Sequence, residues 1–291
     1  MKIGVTAASG NLGNILLSKL CEEVGAANVV GIARNPEKIT VANIETRQGD
    51  YEIGKDWLPA LAGLDTVILV SSPTDPEGKK DRVQMHRNVI EGAKQVGVSK
   101  LLYTSVIGNG REQETLYAPV AAVNRQTEQD LQESGLNWVI ARNGLYLEFD
   151  VAHIVNAANE NNVFSNNGGD GRCGYITRDE IASATVQLAL NDKLNNKIYN
   201  LVGVCHTQTE LVQMVNEVYG LQVNYEPITD EECFARLEPI RGETVATMLT
   251  GCYQCIRNGA YDVQSDFETA AGRPAKSIIK QIAELKAVTN Q

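Results

Sequence analysis

Residues 2–6 form a short apolar run, and Leu12, Ile15, Leu16, Leu20 and Val24 follow at intervals of three and four. A buried strand therefore passes directly into an amphipathic helix. The alternation repeats: strands are predicted over 28–33, 44–48, 66–70 and 100–104, with helices around 57–61, over 79–96 and over 120–134. In the helix over 79–96, Val83, Val89, Ile90, Ala93 and Val96 share a face, and Gly97 ends it. Short apolar strands alternating with helices predict an α/β fold, a Rossmann-like, doubly wound parallel sheet.

From about Phe149 the pattern changes. Helices are expected over 151–160 and 178–190, and a strand over 197–201 that returns to the main sheet. Residues 161–174 are rich in asparagine and glycine, and 165–171 read as an irregular loop at the mouth of a cleft. Thr207 and Glu210 have capping-box spacing before a helix over 211–219, since hydroxyl and carboxylate can each satisfy a backbone donor of the other. Helices over 230–237, 243–258 and 275–287 complete a small, mostly helical C-terminal unit. The expected division is a cofactor-binding domain over 1–148, with 175–204 returning to it, and a smaller substrate-side domain over 149–174 and 205–291.

Composition narrows the function classes. The 291 residues are 43% hydrophobic and 21% charged, ordinary for a globular protein and ample for a buried core. A net charge of −10 with no basic stripe argues against nucleic-acid binding. No apolar run is long enough to span a bilayer, and the N-terminus lacks the sectors of a signal peptide, so a cytoplasmic protein, monomer or homodimer, is expected. Cys252 and Cys255 form a lone CxxC pair, read as two free thiols on one helix face, and His86, His153 and His206 are not spaced to complete a metal site.

The candidate chemistry begins at KIGVTAASGNLG, residues 2–13. Gly10 and Gly13 permit close backbone approach, and the free N–H groups of the first helical turn suit the pyrophosphate of a dinucleotide. Ala7 stands where the usual fingerprint has its first glycine. Ligands of open α/β sheets bind at the carboxyl ends of the strands, which makes Thr6, Ala7, Ser71, Ser72, Thr104 and Ser105 candidate cofactor contacts, Ser71 and Ser72 with Pro73 following the fourth strand. After the second strand, the place of the acidic residue that selects NAD(H) is taken by Arg34, with Lys38 nearby. A guanidinium there favours the 2′-phosphate of NADP(H). Asp50, at the end of the third strand, is placed to reach the adenine edge.

A short-chain dehydrogenase would carry a tyrosine with a lysine four residues on. Tyr117 is followed at that distance by Ala121, and the literal match of Tyr51 with Lys55 lies after the third strand, away from the nicotinamide. Any hydride transfer proceeds without a strong built-in proton donor.

The stretches VTAASGNLG, IARNPEK, NRQTEQDL, WVIARNGLY, GGDGRCGYITRDEIA and KIYNLVG resemble the NmrA-like atypical short-chain dehydrogenases. Within that group they are most similar to the type 2 NAD(P)H:quinone oxidoreductases and the triphenylmethane reductases. The resemblance covers nearly the whole chain. It implies an NADP(H) site with Ser9, Gly10, Asn11 and Leu12 around the pyrophosphate and Arg34 at the 2′-phosphate. Asn143, Gly144, Leu145 and Tyr146 would line the nicotinamide and a planar small-molecule acceptor, with Arg178 closing the site. Asn124 replaces the histidine or lysine that relatives carry four residues before Glu128, offering a neutral amide where they can hold a proton. Asn124, Asn143 and Tyr146 are the catalytic candidates. The expected function is NADPH-dependent reduction of a quinone or similar electron-poor acceptor. The alternatives are a non-catalytic NADP(H)-binding redox sensor and, less well supported without a tyrosine base, a sugar-nucleotide epimerase.

Overall fold

A computed structural model describes residues 1–72, 75, 77 and 79–289; Pro73 lies outside these. The first half runs β1 (Ile3–Val5), α1 (Asn11–Val24), β2 (Val29–Ala33), β3 (Glu45–Gln48), α2 (Trp57–Leu61), β4 (Thr66–Val70), α3 (Arg82–Val96), β5 (Lys100–Val106), α4 (Ala118–Gln132) and β6 (Asn137–Asn143). The second runs α5 (Leu147–Ala157), β7 (Val163–Asn166), β8 (Arg172–Cys173), α6 (Arg178–Leu190), β9 (Lys197–Leu201), β10 (His206–Thr207), α7 (Gln208–Tyr219), β11 (Asn224–Pro227), α8 (Asp230–Arg241), α9 (Glu243–Arg257), α10 (Phe267–Ala271) and α11 (Ile278–Thr289).

Seven strands make one parallel sheet in the order β3-β2-β1-β4-β5-β6-β9. The order reverses at β1 and β4, the topological switch point at which Rossmann-like sheets open a crevice. The inner strands are apolar on both faces because helices cover both. On one side Ile3, Val5, Ile68 and Leu102 pack against Leu16 and Leu20 of α1, Ile181 and Leu188 of α6, and Phe267 of α10. On the other, Ile32, Val67 and Leu101 meet Trp57 of α2, Val89 and Ile90 of α3, and Leu131 of α4. Buried Lys100, at the start of β5, donates from Nζ to the carbonyls of Leu188 (2.7 Å) and Asn191 (3.3 Å). Its cation thus satisfies the negative end of α6 and fixes that helix under the sheet.

The second lobe has its own core, in which Leu147, Val151 and Ile154 of α5 meet Leu211 and Val215 of α7, Ile256 of α9 and Ile282 of α11. The capping box of Thr207 and Glu210 is formed at the start of α7. Thr229 and Glu232 form a second, unforeseen one on α8.

Several boundaries move. Residues 161–174 are not irregular throughout: β7 pairs in parallel with β11, and β8 pairs antiparallel with β10. The polar side chains of Ser165 and Asn166 hide a strand whose partner comes some sixty residues later, so the pairing is a tertiary effect. Helix α5 begins at Leu147 rather than 151, α3 at Arg82 rather than 79, and α8 continues through Pro239 to Arg241. The short α10 and β11 have no counterpart in the sequence pattern.

His86 of α3 is fully buried beneath β4 and β5. Its Nε2 accepts from the Ser72 N–H at 3.0 Å. Its Nδ1 lies 2.9 Å from the Thr127 hydroxyl, which itself donates to the Val123 carbonyl, so Nδ1 carries the proton and the ring is neutral. Burial and, secondarily, the charge of Arg82 lower its pKa from 6.5 to about 3. Between those values the unfolded chain binds the extra proton, so stability falls as pH falls from 6.5 towards 3. By pH 4.5 the loss from this residue reaches about 3 kcal/mol. His86→Gln is expected to flatten the decline of thermal midpoint between pH 6.5 and 4.5 relative to the wild type. Parallel declines in thermal melts of the two proteins would assign the acid sensitivity elsewhere.

Candidate active site

The turn from β1 to α1 is closed by the Gly10 N–H on the Ala7 carbonyl at 2.9 Å and held to the sheet by the Ala8 N–H on Ile32. Ala7 adopts φ of +47°, the left-handed conformation that a glycine would take without strain. The turn therefore survives the replacement of glycine, at a cost of about 1 kcal/mol. Gly13 is fixed by close approach, because a Cβ there would stand 2.4 Å from the Ala7 carbonyl oxygen and 2.8 Å from the Ala8 Cα. No side chain caps α1, and Ser9, Gly10 and Asn11 are exposed, so its first-turn amides are left for an external acceptor. Leu12 turns its side chain into the core and offers backbone only. Thr6 is fully buried; its hydroxyl bonds Tyr51 at 2.6 Å and accepts from the Val70 N–H at 3.0 Å, pinning β1 to β4. The same bond buries Tyr51, which removes the literal YxxxK match from any role in the cleft.

At the ends of β2 and β3, Arg34 is exposed and makes no hydrogen bond or ion pair with a described residue. Lys80 lies near it, bound to Glu52 at 2.5 Å. That bond raises the pKa of the ammonium while the charge of Arg34 opposes the rise. Asp50 is half-buried and accepts the Glu52 N–H at 3.0 Å. Lys38 is exposed on the short turn that follows Arg34.

The ends of β4 and β5 carry a linked polar system. The Ser71 N–H donates to the Thr104 hydroxyl at 2.9 Å. The Ser71 hydroxyl lies 3.3 Å from that of Tyr103, and the Tyr103 hydroxyl donates to the Asn124 Oδ1 at 2.7 Å. The Asn124 Nδ2 donates to the Val120 carbonyl at 2.8 Å. Asn124 is thus neither a helix-start residue nor an exposed one: it is fully buried in the middle of α4, with both amide atoms engaged, and reaches the strand ends only through Tyr103. Burial raises the pKa of Tyr103 to about 12, which keeps its proton in place. Ser72 is buried against His86. Ser105 donates to Glu128 at 2.6 Å, and Glu128 also receives Arg125 at 2.7 Å and Arg142 at 2.9 and 2.6 Å. Arg82 was not foreseen: it donates to the Ser71 hydroxyl and the Ser72 carbonyl from the start of α3.

After β6, Asn143, Tyr146 and Arg178 converge. The Arg178 guanidinium carbon lies 4.2 Å from the centre of the Tyr146 ring and 4.7 Å from that of Phe149, and Nη1 is 3.5 Å from Glu148. The two ring centres are 6.3 Å apart, so the cation rests over both rings side by side, and these contacts together with Glu148 restrict its orientation. Burial raises the pKa of Tyr146, with the Asn143 amide and the Arg178 charge pulling the other way. The Asn143 Oδ1 is buried and has no hydrogen-bond partner among the described residues. Leu145 packs into the core of the second lobe, and a Cβ on Gly144 would meet the Gly174 carbonyl oxygen at 2.6 Å, so Gly144 serves the crossing of two chain segments. Phe149, 57% exposed, was missed because a lone aromatic beside a helix start has no distinguishing pattern.

These residues fit an NADP(H) molecule. The uncapped α1 amides and tight Gly13 turn suit a pyrophosphate, the unpaired Arg34 a 2′-phosphate, and the orphaned Asn143 Oδ1 the carboxamide N–H of a nicotinamide.

Comparison with known proteins agrees. An NAD(P)H-binding family model matches residues 7–192. Quinone oxidoreductase 2 of Escherichia coli is 30% identical over 294 residues, covering 99% of this chain and all of the relative. A solved structure of the NADPH-dependent quinone oxidoreductase of Escherichia coli with NADPH superposes with a TM-score of 0.87 at 29% identity, over 98% of this chain and 99% of that one. The triphenylmethane reductase of Citrobacter sp. with NADP(H) gives 0.87 at 28% identity, over 98% of this chain and 100% of that one. An NmrA-like family domain-containing oxidoreductase of Aspergillus flavus is 26% identical over 80% of this chain and 76% of the relative. The chain belongs to the NAD(P)H-binding family and is an NAD(P)H-dependent oxidoreductase.

Proposed function

We propose that the protein reduces a quinone or a similarly planar, electron-poor small molecule at the expense of NADPH. The observation that carries the reading is the grouping after β6: the orphaned Asn143 Oδ1, the Tyr146 hydroxyl and the clamped Arg178 meet beside the strand ends that would hold the nicotinamide. Bound NADPH would supply a hydride, leaving NADP⁺, while a quinone takes up that hydride and one proton to become the hydroquinone. The chain's share is binding and orientation. Ser9, Gly10, Asn11, Leu12 and Gly13 hold the pyrophosphate through backbone amides, Arg34 the 2′-phosphate and Asp50 the adenine side. Asn143 fixes the nicotinamide, and Tyr146 with Arg178 and exposed Phe149 form the wall against which a flat ring lies.

Thr6, Ser72, Thr104 and Ser105 act from behind, their hydroxyls already engaged within the protein. Asn124 is a positioning residue for Tyr103. Neither Tyr103, with its raised pKa, nor Asn124 is a ready proton donor, so the last proton comes from water. Hydride transfer depends chiefly on proximity and alignment, which this arrangement provides. The smaller substrate-side domain is taken as 149–174 and 205–291 and the cofactor domain as 1–148 with 175–204, so that Tyr146, Arg178 and Phe149 line the acceptor where the two domains meet.

The lack of a protonable group at Asn124 favours the second reading, an NADP(H)-binding sensor without turnover. Purified protein mixed with NADPH and a panel of benzoquinones, naphthoquinones and a cationic triphenylmethane dye decides between them by loss of NADPH absorbance. Turnover of a quinone is expected; tight NADPH binding with no turnover on the whole panel would select the sensor. For the cofactor, Arg34→Ala is expected to weaken NADPH by about tenfold to a hundredfold, the worth of a charge-assisted contact, and to leave NADH nearly unchanged. Equal losses for the two cofactors in a fluorescence titration would remove Arg34 from the 2′-phosphate.

A further inference from the structure

We propose that Arg82 is a cation of the acceptor site, placed to hold an anionic oxygen that the acceptor carries or gains on reduction; this rests on the reductase reading above. The residue is 9% exposed, yet no carboxylate of a described residue lies within ion-pair distance. Its four hydrogen bonds to described residues go to neutral oxygens: Nε to the Ser72 carbonyl (3.2 Å) and hydroxyl (3.4 Å), Nη2 to the Ser72 carbonyl (2.8 Å) and the Ser71 hydroxyl (3.0 Å). Nη1 bonds no described residue. Asp81, its neighbour in sequence, is exposed and caps α3 through the Gln84 N–H at 3.0 Å. Arg82 is also the first residue of a 15-residue helix, where the peptide dipoles present positive charge. Buried charges in proteins are normally paired, and cations are disfavoured at helix starts. Here burial and a helix start coincide with no counter-ion among the described residues.

The position indicates which anion completes the site. Ser71 follows β4, and β1 lies between β4 and β2, after which Arg34 stands, so Arg82 serves the opposite half of the crevice from the 2′-phosphate. Its charge acts on the buried hydroxyls of Tyr103 and Tyr117 and on the neutral ring of His86. Tyr117 packs edge-to-face on Tyr261 of the second lobe at 6.2 Å, so the guanidinium sits at the seam between the sheet and that lobe. A quinone that has taken up a hydride bears one negative charge on oxygen until water protonates it, and a guanidinium stabilises that charge while keeping its own protons. A carbocation dye becomes neutral on taking the hydride and has nothing to give Arg82. The acceptor class is therefore oxygen-centred and neutral or anionic, rather than cationic.

The test titrates 4-nitrophenolate, a chromophore that reports its own ionisation, against the NADP⁺-loaded protein. Wild type is expected to bind the anion and to ionise bound nitrophenol at lower pH than in solution. Arg82→Gln should weaken binding about tenfold or more and abolish the shift, while Arg82→Lys keeps part of both. Unchanged NADP⁺ affinity and circular dichroism identify variants that still fold. In the kinetic arm, Arg82→Gln lowers kcat/KM for a quinone sulfonate and a neutral quinone but not for a cationic dye. Absence of nitrophenolate binding, or equal binding by wild type and Arg82→Gln, overturns the proposal. A wild type that fails to oxidise NADPH with any of the acceptors offered yet binds the phenolate through Arg82 instead overturns the reductase reading and leaves the anion site standing.

Discussion

One buried carboxylate holds the floor of the crevice together. Glu128 projects from α4 and receives Ser105 from the end of β5, Arg142 from β6 and Arg125 from its own helix, while Arg125 reaches on to buried Glu112. Two strand ends and a helix are thereby fixed relative to each other by directed, charge-assisted bonds, whereas apolar packing would permit sliding. Such a cluster adds little net stability over a well-packed apolar one, but removing one partner strands the others and costs about 3–5 kcal/mol. Its value is positional: Asn143 ends β6 one residue after Arg142, and Thr104 precedes Ser105, so the proposed cofactor and acceptor contacts take their spacing from Glu128.

The second lobe is tied to that floor at a narrow point. The chain segments around Gly144, Gly174 and Val202 cross so closely that a single methyl group at Gly144 would collide with backbone, and the Gly144 N–H is bonded to the Leu201 carbonyl at 2.9 Å. Directly beyond this crossing, Tyr146 pairs with Ile176, and Arg178 opens α6. The aromatic residues around Arg178 therefore gather where the two lobes exchange chain, and under the proposed reading the acceptor binds at that seam instead of within either lobe.

The cofactor half of this arrangement was legible in the sequence because it is local. Gly10, Gly13 and Arg34 lie within one strand–helix–strand unit, and the roles proposed for them follow from backbone geometry and charge at fixed spacing. The sheet was legible for a related reason: strands covered on both faces must be continuously apolar. The acceptor half was less so. Asn124 meets Tyr103, Arg82 meets Ser71 and β7 meets β11 only after folding, and a polar side chain carries no mark in sequence of whether water or a tyrosine will satisfy it. Arg82 did leave one trace, a basic residue at a helix start where acidic ones are favoured.

The unsatisfied Asn143 Oδ1 and the left-handed Ala7 have a joint consequence for how the protein endures in the cell. Both are local deficits that a cofactor-free fold must carry, and the first disappears when a donor arrives. Occupancy and folding are then one equilibrium: a cofactor at a hundred times its Kd adds about 2.7 kcal/mol to stability. Depletion of the nucleotide pool would raise the fraction of unfolded chains exposed to proteases, and the quantity of protein would track the supply of its reductant.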